Sequence, residues 1–169
     1  MKIQRSLVAW CSALLLPLVL LAGYLTAKGP QRGGKKYVCL ETNPETMCNA
    51  AATCGSPSSP CTVDVKRSAN AASVTPDIPN AKSNRPFCVK VGTTVTWKSS
   101  SKNTGFVLDF GPTSPFDQGT IIGGSDRSVS AVAKNAGCHK FSAGACVSGT
   151  IYGMCGNADT EIVVISAGP

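Results

Sequence analysis

The chain has 169 residues, with 16 Lys and Arg against nine Asp and Glu, nine cysteines and a single histidine. That length gives one domain of ordinary size beyond a targeting segment. Sparse aromatics and abundant Gly, Ser, Thr, Ala and Val argue against a helical bundle and for a turn-rich β protein, and one histidine excludes any site that needs two imidazoles from one chain.

The N-terminus reads MKIQR, then an uncharged stretch over residues 6–27. As a helix, these residues would extend roughly 33 Å, enough to cross a bilayer core. Two readings stay open for residues 1–27: a cleaved signal peptide or a retained signal-anchor. Cutting after Ala27 or Gly23 puts Leu25 or Leu21 at −3, a poor match to small-residue cleavage sites, so a transmembrane anchor is favoured. Lys2 and Arg5 precede the stretch, and Lys28, Arg32, Lys35 and Lys36 follow it. Charge alone would put that second flank in the cytoplasm. The cysteines argue the reverse. Eight lie beyond the stretch: Cys39, Cys48, Cys54, Cys61, Cys88, Cys138, Cys146 and Cys155. An even set in a short exported domain reads as four disulfides, which places the domain in the periplasm or extracellular space. No pair has C-x-x-C spacing, and 105 pairings are possible, so connectivity stays open.

Residues 28–36, KGPQRGGKK, form a basic linker. Its four cations suit a solvated linker, with contact to anionic lipid headgroups as the sharper alternative. Nucleic acid is not an expected partner, because no binding motif accompanies the charge. Residues 37–61 pack four cysteines between Asn-Pro and Ser-Pro turns, predicting an irregular Cys-rich cap with room for a short helix near 44–53.

From residue 62 the pattern becomes strand, turn, strand. Val63 and Val65 alternate with polar residues. ASVTPDIPN, with two prolines, suits a broken edge strand. FCVKVGTTVTWKSS predicts strands at 87–91 and 94–99 around Gly92, with Phe87, Val89 and Val91 on one face and Val95 and Trp97 inward in the next. Further strands are predicted at 105–111, at GTIIGG as a strand or a turn, and at 127–134. CHKFSAG, GTIYGMC and TEIVVIS complete the run. Loops at 99–105, 111–126 and 142–150 are the expected contact surfaces. Seven or eight short strands indicate an all-β sandwich or barrel over 62–169.

At CVKVGTTVTWKSS the chain resembles the cupredoxin family, the blue-copper β-sandwich. SPFDQGTIIGG, RSVSAVAKNAGCHKFS and DTEIVVI follow in the order of that family's later strands. The resemblance covers roughly residues 62–166 and implies a cupredoxin-like Greek-key sandwich. The family's copper ligands do not carry over. Two imidazoles and a thiolate are required, usually with a weak axial thioether. SKNTGFVLDF holds no histidine, and none follows Cys146 or Cys155. The remaining metal-ligand candidates are His139, Cys146, Met154 and Cys155. Their blander roles are a hydrogen-bonded or exposed histidine, a packing methionine and disulfide cysteines, with Cys138 and Cys146 bracketing a hairpin or loop. Trp97 is expected in the core, and Asp109 and Asp117 at turns or the surface.

No G-x-S-x-G elbow, haem-attachment motif, phosphate loop or carboxylate pair stands out, so no catalytic residue and no cofactor is expected. The functional expectation is a membrane-anchored, non-catalytic module outside the cytoplasm. It would dock on a protein partner as an accessory subunit of a membrane complex, electron-transfer or photosynthetic by analogy with where such folds occur. The alternative is a copper-binding electron carrier or copper-handling protein.

Overall fold

The structure, a computed structural model, describes residues 47–147 and 156–166. The chain divides into units 1–36 and 37–169, and every described residue belongs to the second. The apolar stretch 6–27 and the basic linker therefore lie outside the described residues. Among the described residues no helix is long and apolar enough to cross a membrane.

Among the described residues nine strands form two mixed sheets: β1 (Cys61–Ser68), β2 (Ala71–Pro76), β3 (Phe87–Lys90), β4 (Thr94–Lys98), β5 (Thr104–Asp109), β6 (Thr120–Gly124), β7 (Val129–Val132), β8 (Gly137–Val147) and β9 (Gly156–Ile165). One sheet has the order β2-β1-β4-β7, the other β3-β9-β8-β5-β6. Most neighbours are antiparallel, but β1 runs parallel to β4 and β3 parallel to β9. Both parallel pairs join strands distant in sequence.

Period-two alternation decides which side chains meet between the sheets. Val63, Val65, Val95 and Trp97 point inward from one sheet; Phe87, Val89, Phe106, Leu108, Phe141, Ile162 and Val164 point inward from the other. Trp97 is fully buried, with its ring 5.7 to 6.4 Å from those of Phe87, Phe110, Phe116 and Phe141, each edge-on. Phe110 and Phe141 stack at 4.4 Å. Four of the five phenylalanines thus converge on one tryptophan, in the tilted geometries that aromatic quadrupoles favour.

The broken strand ASVTPDIPN is β2, an edge strand that stops at Pro76. GTIIGG contributes the edge strand β6 rather than a turn. The expected 111–126 loop therefore contains a strand, and a 3-10 turn at Gly111–Thr113 precedes it. The largest departure is at β8. The sequence pattern ends a strand at Gly144 and places a hairpin or loop between Cys138 and Cys146. Instead, residues 137–147 form one extended strand, laddered on β9 and β5. Pairing on both sides satisfies the backbone at Gly144, so glycine's weak strand preference is overridden. The 99–105 and 142–150 segments are accordingly part strand. TEIVVIS belongs to β9, which starts earlier than the pattern suggests, at Gly156; residues 149–155 (GTIYGMC) lie outside the described residues.

Residues 37–46 of the cap, with the first part of the expected helix near 44–53, lie outside the described residues; residues 47–60 are irregular. Met47 is helical, and a turn follows at residues 50–52. Its backbone then joins the sheet edge: Cys54 N–H donates to Cys88 O at 2.8 Å and Cys88 N–H donates to Ala52 O at 3.1 Å. This covers β3, which would otherwise be an open edge. Disulfides Cys48–Cys88 and Cys54–Cys61 fasten the same segment. Gly55, at φ +68°, makes the tight return between Cys54 and Cys61, where a Cβ would lie 2.7 Å from Cys61 N and from Ser59 O.

Candidate functional site

The four metal-ligand candidates do not assemble into a described site. Met154 and Cys155 lie outside the described residues, as does Cys39. Cys146 is disulfide-bonded, and so is Cys138. They do not bond to each other: eight residues of extended strand separate their Cα atoms by roughly 26 Å, whereas a disulfide spans at most about 7 Å. All six described cysteines are thus oxidised. A sulfur held in a disulfide offers no thiolate to copper.

His139 is buried rather than exposed, at 5 % of its accessible surface. It points to the core side of β8, the side of Phe141, and meets two backbone carbonyls. Nδ1 is 2.6 Å from Thr113 O and Nε2 is 3.0 Å from Asn135 O. A neutral ring donates to one of these oxygens; an imidazolium donates to both. Either way both nitrogens are turned toward carbonyls, an arrangement that leaves no lone pair aimed at an open metal position. The ring ties β8 to the turn after β5, where Lys134 N–H also donates to Pro115 O and the Lys134 ammonium pairs with Asp117. Asp109 accepts from Gly111 N–H in the same turn. The described residues do not fit a blue-copper centre: the one imidazole is engaged on both sides, and the described cysteine sulfurs are crosslinked. Among the described residues no three His, Cys, Asp or Glu side chains group as a metal site.

Two surface hollows carry polar chemistry that sequence reading missed. On the outer face of the five-stranded sheet, register aligns Asp109 with Ser142 and Ser142 with Asp159. Ser142 Oγ donates to Asp159 Oδ1 at 2.6 Å, and Lys140 completes a hollow of about 480 Å³. The carboxylates sit two strand spacings apart, about 10 Å between Cα atoms. Ser142 has no imidazole beside it and its hydroxyl is bound to a carboxylate rather than to an activated base. The row carries no assembled nucleophile. Cross-strand register created it, and register was not legible in the chain.

The second hollow, about 340 Å³, opens between the cap and the loop joining β2 to β3. Ala51 and Ala52 form one wall, and Pro76, Ile78 and Pro86 the other, with Lys82 and Arg85 lining it. The exposed apolar side chains elsewhere are scattered: Val107 and Ile122 pair across β5 and β6, while Val132 and Val147 stand on other strands. No protein-family model matches the chain, and no curated protein is significantly similar to it.

Proposed function

We propose that the chain is a membrane-anchored, non-catalytic docking module held outside the cytoplasm, with a cupredoxin-like Greek-key sandwich that does not use copper. The anchor is the uncharged stretch 6–27. Two mixed sheets with parallel β1–β4 and β3–β9 pairs support the cupredoxin-like reading, together with the V-G-T-T-V-T-W run over β3 and β4. The observation that carries the functional reading is the state of the ligand-type side chains. The lone imidazole is clamped between two carbonyls, and Cys138 and Cys146 on the same strand are disulfide-bonded. What remains is a crosslinked body with an aromatic core, suited to presenting a fixed surface.

Mild-detergent purification from the native membrane tests this directly. The expected result is a chain of uncleaved mass, with stoichiometric co-purifying protein and no tightly held copper. A free chain, or one that returns with copper in equimolar amount, would remove the reading in favour of a copper-handling protein.

A further inference from the structure

The hollow between the cap and the β2–β3 loop is built before any ligand arrives. On the cap side, the Asn49 side chain accepts from Ala51 N–H at 3.0 Å and Ala52 N–H at 3.1 Å, and the Cys48–Cys88 disulfide fixes the segment to β3. On the loop side, Asn84 acts as a substitute strand for the β2 edge. Its Oδ1 accepts from Val74 N–H at 2.8 Å, its Nδ2 donates to Ala72 O at 2.9 Å, and its own N–H donates to Val74 O at 2.8 Å. Ser83 Oγ bridges Ser73 and Thr75. Asn80 and Asn84 both hold positive φ, 57° and 59°, so the loop bends twice and carries Lys82 and Arg85 to the hollow.

Charge separates this hollow from the rest of the surface. Among the described residues no acidic side chain lines it. Asp77, in the same loop, lines the neighbouring hollow with Asp64 and Lys66. The ion pairs among the described residues are Lys66–Asp64 and Lys134–Asp117, so Lys82 and Arg85 are balanced by neither. Two exposed cations over proline, alanine and isoleucine walls match a segment that brings carboxylates around an apolar side chain. The guanidinium of Arg85 offers a planar fork for a carboxylate. A flat bilayer surface does not enter a concave site, and the described walls present no exposed aromatic face on which a nucleic-acid base would stack.

Resting on the docking reading above, we infer that this hollow receives an acidic, leucine-like segment of the protein partner, with Lys82 and Arg85 pairing its carboxylates. The test uses the full chain in detergent with its disulfides intact and a fluorescein-labelled peptide of alternating aspartate and leucine, followed by anisotropy at low salt. Saturable binding is expected. Lys82→Ser/Arg85→Ser should weaken it about tenfold, while the equal charge loss in Lys98→Ser/Lys102→Ser should change it less than about twofold. All four side chains are on the surface, so both variants should keep their wild-type thiol count and circular dichroism. No saturable binding, equal losses in the two variants, or a Lys82/Arg85-dependent preference for phosphatidylglycerol vesicles over the peptide would overturn the inference. Co-purification separates the two ideas. A partner still held by Lys82→Ser/Arg85→Ser would refute this site and leave the docking reading standing, whereas no partner on the wild-type chain would remove that reading itself.

Discussion

His139 and Trp97 show what single side chains contribute. Replacing His139 by Ala empties the buried position of its ring and removes the ring's contacts with the carbonyls of Thr113 and Asn135. The expected loss is about 2–4 kcal/mol in urea unfolding of the oxidised chain. Unchanged stability would show that the ring does not staple β8 to the turn after β5. Trp97→Ala should cost about 3–5 kcal/mol, since it empties the centre of the aromatic cluster. Trp97→Phe should cost less, because Nε1 has no hydrogen-bond partner among the described residues. Equal losses for the two variants would show that a smaller aromatic ring cannot stand in for the indole at the centre of the cluster. Trp97 was legible in the sequence because its inward direction follows from local alternation. The setting of His139 was not, because its two partners lie four and 26 positions away and are backbone atoms of any residue type.

Strands divide along the same line. Val63/Val65, Phe87/Val89 and Val95/Trp97 announced themselves by period two, and each pair is buried as the pattern requires. The parallel pairing of β1 with β4 and the uninterrupted length of β8 depend on ladders between distant segments, which no local pattern encodes. The length of β8 also bears on the disulfides. Cys138 and Cys146 are both disulfide-bonded but stand too far apart along the extended β8 to bond to each other. Peptide mapping without reduction should therefore recover Cys48–Cys88 and Cys54–Cys61 and place Cys138 and Cys146 in separate bridges; a Cys138–Cys146 peptide would contradict the unbroken strand. Loop closure gives the known bridges unequal weight. With a sequence separation of 40, Cys48–Cys88 should stabilise by about 4 kcal/mol, against about 2.4 kcal/mol for Cys54–Cys61 with a separation of 7. Denaturant unfolding of the paired serine variants checks that order, and a larger loss at Cys54–Cys61 would show that chain entropy does not govern it.

For the whole molecule, two observations bear on function together: a crosslinked β body, and the described ligand-type side chains, His139, Cys138 and Cys146, already committed to structure. The cap pairs with the β3 edge and is bonded to it, so among the described residues the five-stranded sheet is covered on that side and ends in β6 on the other. The charge excess of the chain does not translate into a described binding stripe; it leaves Lys82 and Arg85 beside one hollow. Copper addition to the full chain, purified with its disulfides intact, tests the central claim most directly. The expected result is no intense visible thiolate-to-copper band and no equimolar copper retained after dialysis. A stable blue chromophore at one copper per chain would contradict the claim, because it would require a free thiolate and a second imidazole-equivalent donor that the described residues do not supply.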